Sequence, residues 1–184
     1  MHPVSYTHLS GNALPKTILS YIWLGIAALL VAVDQLVKFW AEHSLSQVDT
    51  IPLISGVFHL TYVQNFGAAF NTMNNQRFLL VGVTSAVLLL ILVLLLTQKL
   101  RSPWMICSWS LILSGGAGNL VDRMFRPGGY VVDLFDFRLI HFPVFNVADI
   151  CVCVGVALFL IYFLFIEHRE HQQFEIRQEI KRHE

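Results

Sequence analysis

The chain has 184 residues, of which 55% are hydrophobic and only 13% are charged, and its 12 lysines and arginines balance its 12 aspartates and glutamates. Soluble domains carry about 25% charged residues, so this composition argues against an ordinary soluble domain. The neutral balance argues against nucleic-acid binding through a basic surface, and the apolar content argues against a disordered chain. The length fits a single domain.

The apolar residues are gathered into four charge-free runs of 17 to 21 residues. Because a helix needs roughly 20 apolar residues to cross a bilayer core, each run predicts a membrane span. The first run is longer than the apolar part of a signal peptide and no small-residue cleavage site follows it, so we expect it to be retained. In chain order, the predicted spans are Thr17–Val33, Phe78–Gln98, Ser102–Val121 and Ile150–Ile166.

These spans divide the chain into an N-terminal segment (residues 1–16), a four-helix membrane domain (residues 17–166) and a C-terminal tail (residues 167–184). With four spans, both termini and the short connection at residues 99–101 share one side of the membrane. Cytoplasmic loops are enriched in lysine and arginine, so both termini are predicted to be cytoplasmic. Seven of the twelve cationic residues lie on that side: Lys16, Lys99, Arg101, Arg169, Arg177, Lys181 and Arg182.

Two long connections on the opposite side, residues 38–77 and 122–146, are predicted to contain β-strands. In the first, Val57–Val63 alternates apolar, aromatic and β-branched residues, a pattern typical of a strand. In the second, Tyr130–Phe137 has the same character and follows the turn sequence Pro127-Gly128-Gly129. The predicted fold is therefore an all-α integral membrane protein, with four transmembrane helices and a small extracytoplasmic β-sheet.

Seven acidic residues belong to the outer half of this arrangement, and the other five are glutamates in the C-terminal tail. Carboxylates near a bilayer are costly and tend to mark functional sites. Those in helices are predicted at span ends, whereas a proton-coupled transporter would place them near the middle of the bilayer, so that class is disfavoured. The seven are Asp34, Glu42, Asp49, Asp122, Asp133, Asp136 and Asp149.

Two of these acids also have purely structural interpretations that depend on local secondary structure. Asn146 and Asp149 have the spacing of a helix N-cap and the third residue of that helix, where an acid complements the helix dipole. Asp133 is flanked by apolar strand residues, which is compatible with an ordinary exposed position on a strand. Taken singly, neither acid therefore requires a catalytic role.

The remaining polar residues near the spans have structural interpretations as well. Asp122 is predicted near the C-terminal end of a helix, where an anion needs a cation such as Arg123 beside it. Arg123 also suits a carboxylate, a lipid phosphate or a position at the membrane interface. Asp34 suits a position at the membrane interface together with Lys38, one helical turn further on. Gly115–Gly118 is typical of a surface where two membrane helices approach closely.

Metal, disulfide and serine chemistry are all disfavoured. The three cysteines lie in predicted spans and are odd in number, and Cys151 and Cys153 point to different sides of a helix. In the tail, His168 and His171 have a spacing found in metal sites but lack a third ligand. Ser114 has no lysine or histidine in its span to act as a base.

Five motifs in a fixed order are more specific than any of these residues alone. They are Asp34-Gln35-x-x-Lys38, Asn65-Phe66-Gly67-Ala68-Ala69-Phe70, Gly115-Gly116-Ala117-Gly118-Asn119-x-x-Asp122-Arg123, Val131-Val132-Asp133 and Phe145-Asn146-Val147-Ala148-Asp149. Through these motifs, residues 20–166 closely resemble the lipoprotein signal peptidases, the type II signal peptidases of bacterial membranes. The segment between Arg123 and Val131 is slightly longer than the family pattern.

The resemblance implies an aspartic endopeptidase of the bacterial inner membrane, with its active site at the outer face. Its implied reaction removes the signal peptide from prolipoproteins whose future N-terminal cysteine carries a diacylglyceryl group. Asp133 and Asp149 are the implied catalytic pair, without a metal or organic cofactor. The expected partners are lipid-modified prolipoproteins and membrane lipids, not nucleic acid, and a monomer is expected. The residues implied to line or support the site are Asp34, Lys38, Asn65, Gly67, Asn119, Asp122, Arg123 and Asn146.

The chemistry of such a pair can also be argued from its residue types. Two close carboxylates do not both ionise, so one acts as a base toward water while the other donates a proton toward the substrate carbonyl. The sequence does not assign that proton, because the pair titrates as a unit. Neutral amides such as Asn65, Asn119 and Asn146 suit a substrate backbone or a developing oxyanion. A non-catalytic membrane assembly or lipid-binding protein is the alternative class, but it gives no reason for Asp133 and Asp149 to act together.

Overall fold

The computed structural model describes residues 15–67, 76–100, 102–166, 178–180 and 182. Within these residues, four helices are long and apolar enough to cross a membrane, which confirms the four predicted spans. The segments 1–14 and 68–70 and the two tail histidines, His168 and His171, lie outside the described part. The helices are α1 (Lys16–Ser44), α2 (Arg77–Leu96), α3 (Pro103–Phe125) and α4 (Val147–Ile161), and the π-helical turn Tyr162–Ile166 extends α4.

Helix α1 is longer than its apolar run predicts, because it continues past Val33 to Ser44. Asp34, which was predicted at the outward end of the first span, therefore lies well inside the helix. Asp34 and Lys38 are both buried in the second half of α1, and their side chains pair at 2.8 Å. Because the two opposite charges form an ion pair within α1, they do not interrupt the helix.

The predicted sheet is present at the end of the bundle where both long connections lie. It has three antiparallel strands in the order β1 (Ile51–Ile54), β2 (Phe58–Asn65) and β3 (Val131–Phe137). Strand β1 was not predicted, because its Ile-Pro-Leu-Ile sequence has no alternation of apolar and polar residues and contains a proline. Val63 pairs with Asp133, which places Asn65 and Asp133 diagonally on one face of the sheet.

Helix α3 packs against each of the other three long helices. Its contact with α4 is close, since a Cβ atom on Gly115 would overlap the carbonyl oxygen of Ala148. At the other end of this contact, a Cβ on Gly155 would lie 2.8 Å from the carbonyl oxygen of Ser108. The prediction of close helix packing at Gly115–Gly118 is therefore confirmed.

Two buried apolar clusters hold the helices and the sheet in place. One lies between α2 and α3 and is built on Leu88, Ile91, Leu95, Leu100 and Ile106. The second joins the end of α1 to β3 through Ala41, Leu45, Tyr130, Val132 and Leu134. Because Val132 and Leu134 are anchored in this second cluster, Asp133 between them points to the opposite face of β3.

Candidate active site

Asp133 and Asp149 line the same cavity, which has a volume of about 730 Å³. Asp133 is the third residue of β3 and is buried, so the interpretation of this residue as an exposed strand position is wrong. Asp149 is the third residue of α4. The structure thus brings together two carboxylates that are distant in sequence and that come from two different elements.

Asn146 connects the two acids directly. As the N-cap of α4, it accepts a hydrogen bond from the backbone N–H of Asp149 at 2.9 Å, and its own N–H donates to the Asp149 carboxylate at 3.1 Å. The predicted capping arrangement is therefore confirmed as a full capping box. The Asn146 side-chain amide also donates to Asp133 Oδ1 at 2.6 Å. One fully buried side chain thus connects the first half of β3 to the start of α4.

Two further asparagines donate to the acids from other elements. Asn119 on α3 donates through Nδ2 to Asp149 Oδ1 at 2.8 Å. Asn65 at the end of β2 donates through Nδ2 to Asp133 Oδ2 at 3.0 Å, and its Oδ1 accepts from the Gly67 N–H. These amides were predicted to suit a substrate backbone or an oxyanion, but in the structure they hold the two carboxylates.

Lys38 forms a buried ionic centre beside the acids. Its Nζ atom lies 2.8 Å from Asp34 and 2.9 Å from Asp122, and it donates to Asn119 Oδ1 at 2.9 Å. All three ammonium hydrogens are therefore used. The second oxygen of Asp34 accepts from the backbone N–H of Ala148 at 2.9 Å. The Asp34–Lys38 motif of α1 thus supports both Asn119 and the first turn of α4.

The predicted partner of Asp122 is wrong. Its carboxylate pairs with Lys38 and with Arg126 Nε, the latter at 2.9 Å, and not with Arg123. Residues four apart share one face of a helix, whereas adjacent residues diverge by about 100°. Arg126 therefore lies on the same face of α3 as Asp122, and Arg123 faces the cavity. There Arg123 donates to the carbonyl oxygens of Gly67 at 2.9 Å and Asn119 at 3.3 Å.

Three polar residues of this region were not predicted to belong to the site, namely Gln35, Glu42 and Arg126. Gln35 donates to the carbonyl oxygen of Gly118 at 3.1 Å and to Asp122 at 3.3 Å. Arg126 bridges Asp122 and Glu42. The four-residue spacing between Asp122 and Arg126 is the one sequence signal that could have identified this contact.

The environment of Asp133 favours its protonated form. Burial, together with the like charge of Asp149, raises the pKa of Asp133 to about 6, although the hydrogen bonds from Asn65 and Asn146 act in the opposite direction. Asp133 therefore keeps its proton to a higher pH than an ordinary aspartate does.

The rest of the cavity is mainly apolar. Its walls come from α2, α4 and the segment that precedes α4. The residues of these walls are Leu80, Thr84, Phe142, Pro143, Val144, Phe145, Ile150, Val152, Cys153 and Val154. In the described part of the chain, no group of three His, Cys, Asp or Glu side chains is placed to hold a metal ion. The cavity thus combines two acids with a surface suited to hydrocarbon.

The sequence model of signal peptidase (SPase) II matches residues 26–165, a stretch that contains α3, β3 and α4 together with both acids. The chain belongs to the signal peptidase II family. It is 40% identical to a lipoprotein signal peptidase of Brevibacillus brevis, over 74% of this chain and 90% of that protein. It is 43% identical to a lipoprotein signal peptidase of Clostridioides difficile, over 80% of this chain and 98% of that protein.

Solved structures agree with this assignment to signal peptidase II. A bacterial membrane enzyme aligns with a TM-score of 0.72 at 27% identity, over 78% of this chain and 88% of that one. A second bacterial membrane enzyme structure aligns with a TM-score of 0.70 at 26% identity, over 79% of this chain and 94% of that one. The chain is therefore a multi-pass bacterial membrane protein and an aspartic peptidase of lipoprotein processing.

Proposed function

We propose that this signal peptidase II cleaves diacylglyceryl-modified prolipoproteins and that Asp133 and Asp149 together activate the attacking water. The observation that supports this proposal is the shared cavity, which both carboxylates line together with a largely apolar surface. Asn65, Asn119 and Asn146 hold the acids from three separate elements. Such fixed donors favour catalysis, because the acids need not reorganise during the reaction.

The proposed reaction uses one proton shared by the pair. Asp133, whose pKa is raised, donates it to the carbonyl oxygen of the scissile bond while Asp149 takes a proton from water. The water oxygen bonds to the carbonyl carbon and gives a neutral tetrahedral diol. Collapse of the diol breaks the C–N bond. Asp149 then gives its proton to the leaving nitrogen, and the diol hydroxyl returns a proton to Asp133.

The apolar walls supply a place for the lipid of the substrate. Leu80 and Thr84 of α2 face the same cavity as Ile150 and Val154 of α4, so acyl chains attached near the scissile bond can lie between these two helices. Burial of hydrocarbon is favourable by about 25 cal/mol per Å². We therefore expect the diacylglyceryl group to contribute mainly to substrate binding and thus to KM.

We place the site at the outer face of the inner membrane, with both termini in the cytoplasm, because the short connection between α2 and α3 is cationic. We also propose a monomer as the active form. Both acids and all of their described hydrogen-bond partners come from a single chain. No contribution from a second copy is needed for this arrangement.

The test is cleavage of a diacylglyceryl-modified prolipoprotein by the purified enzyme in detergent. Asp133→Asn and Asp149→Asn should each lower kcat by about 100-fold or more, in line with the loss of an acid–base group. Asp136→Asn is the matched control, since Asp136 lies on the same strand but pairs with Thr61 and Arg138 instead of facing the cavity. It should retain turnover within about threefold.

The outcomes separate the competing explanations. Full turnover by either active-site variant would refute the Asp pair. An inert parent enzyme that still binds the lipidated substrate would favour the alternative of a lipid-binding protein. The same substrate without its lipid should show a higher KM, and an unchanged KM would refute the proposed role of the apolar walls.

A further inference from the structure

Five charged side chains of alternating sign run from the surface of the protein to the buried site. On α1, Asp34, Lys38 and Glu42 follow one another at four-residue intervals and share one face. Asp122 and Arg126 have the same spacing at the end of α3. The contacts order these residues as Glu42, Arg126, Asp122, Lys38 and Asp34, with each anion next to a cation. We call this set the ion chain.

Arg126 is the outer cation of the ion chain. Its Nε lies 2.9 Å from Asp122, and its Nη1 lies 2.5 Å from Glu42. Tyr130 supports the same contact, because its hydroxyl donates to Glu42 at 2.7 Å and its ring lies 5.5 Å below the guanidinium. Arg126 does not line the cavity, and its side chain is 15% exposed. Any effect of Arg126 on the two acids of the cavity therefore passes through other residues.

The route leads through Lys38 to Asn119. Among the described residues, Lys38 is the one cation that pairs with Asp34, and it shares Asp122 with Arg126. Its third hydrogen goes to Asn119 Oδ1, which also accepts from the Asn146 amide at the longer distance of 3.2 Å, and these contacts turn the Nδ2 end of Asn119 toward Asp149. Without Arg126, Asp122 has Lys38 as its one remaining ion-pair partner. The ammonium group is a compact point charge on a flexible stem, so it is free to move toward Asp122 and away from Asn119.

We propose that Arg126 is a positioning residue for the peptidase reaction, which keeps Lys38 in contact with Asn119 and thereby orients Asp149. The inference rests on the proposed function, since it assumes that Asp149 takes part in catalysis. It assigns a role to a residue of the longer segment after Arg123 that pairs with acids of both α1 and α3.

The test compares steady-state kinetics of Arg126→Met with the parent, using the lipidated prolipoprotein. We expect kcat to fall about 10- to 100-fold, the usual range for a residue that orients an active-site group, while KM stays within about twofold. Arg126→Lys keeps the charge and should recover most of the loss. Arg138→Met is the matched control, because Arg138 pairs with Asp136 on the sheet and has no contact with the ion chain. It should leave kcat within about twofold.

Combination with Asn119→Ala distinguishes positioning from a general structural role. If Arg126 acts through Asn119, Arg126→Met should lower kcat by less than about twofold in the Asn119→Ala background. Effects that multiply in the double variant would overturn the proposal, as would a single variant with kcat within twofold of the parent. Loss of activity that matches a loss of folded protein on size exclusion would overturn it as well.

Glu42→Gln gives a second test that does not leave Asp122 without Arg126. It weakens only the outer contact of the guanidinium and should lower kcat about two- to fivefold. In the Asn119→Ala background, this decrease in kcat should again be less than about twofold. An unchanged kcat would overturn the proposal even if Arg126→Met could not be purified. Asp149→Asn in the same assay separates the two ideas. Its full turnover would refute the proposed function, whereas an inactive Asp149→Asn beside an unaffected Arg126→Met would refute only the role of Arg126.

Discussion

Replacement of Lys38 by methionine should lower the free energy of unfolding by about 3–5 kcal/mol, the range for loss of one partner from a buried ion pair. The Nζ atom lies 2.8 Å from Asp34 and 2.9 Å from Asp122, and the two carboxylate side chains are 2% and 1% exposed. At an effective dielectric constant of about 20, each contact contributes roughly 6 kcal/mol of Coulomb attraction. The cost of desolvating three charges offsets most of this attraction, so the large loss comes from the carboxylates left without Lys38.

The unfolding of Lys38→Met can be followed by tryptophan fluorescence during titration with sodium dodecyl sulfate in mixed micelles. Asp34→Asn in the same background removes one unpaired charge and should restore about 1–3 kcal/mol, because the cost of an unsatisfied buried group is then reduced. Arg138→Met breaks a pair whose cation is 41% exposed and should cost no more than about 1 kcal/mol. A loss below about 1 kcal/mol for Lys38→Met, or no recovery with Asp34→Asn, would refute this account of the buried centre.

Three further outcomes follow from the site and the helix contacts. Asp149→Asn should lower the pKa of Asp133 below about 6, because a like charge is removed, whereas Asn65→Ala should raise it, because a hydrogen bond to the carboxylate is lost. Carboxyl carbon NMR measures both pKa values. Shifts of the same sign would contradict the assigned contacts. Because the pKa of Asp133 is raised from 3.8 in the folded protein, the contribution of this residue to stability is complete below pH 4 and is lost as the pH rises through 6. In the same unfolding titration, the parent should lose roughly 2–3 kcal/mol of stability relative to Asp133→Asn between pH 4 and pH 7. Parallel stability curves for the two proteins would contradict this prediction. Gly115→Ala should destabilise the protein by about 1–3 kcal/mol, because the added carbon would overlap Ala148. Gly25→Ala is the control and should be neutral or stabilising, because nothing lies within 4 Å of its added carbon. Equal effects of the two substitutions would show that the α3–α4 contact can relax.

The spans could be predicted because each depends on its own sequence alone. The length of α1 could not, because Asp34 and Lys38 resemble the polar end of a span until Asp122 on another helix completes their ionic centre. Strand β1 was missed for a related reason. Its residues Ile51–Ile54 form a strand because they pair with β2, and nothing in their own pattern of exposure marks them as one.

The acids of the candidate site were identified through motif order, but of their partners only Asn146, as the helix cap beside Asp149, was predicted correctly. Asp122 has two arginines nearby in sequence, and only the position around the helix decides that Arg126 is the partner and Arg123 is not. Likewise, an asparagine beside an acid does not reveal whether its amide faces substrate or carboxylate. The hydrogen bonds of Asn119 and Asn65 depend on how α3, α4 and the sheet meet, which is a property of the whole fold.

The shape of the cavity has a consequence for inhibition. Two acids line it together with apolar residues such as Leu80 and Val154 from the lipid-crossing helices. A blocking compound must therefore join a polar head that meets the carboxylates to a hydrocarbon body. Such a molecule dissolves in the bilayer before it meets the enzyme, so its concentration in lipid sets the occupancy of the site. At a fixed total dose, added empty vesicles should weaken inhibition by dilution within the membrane phase.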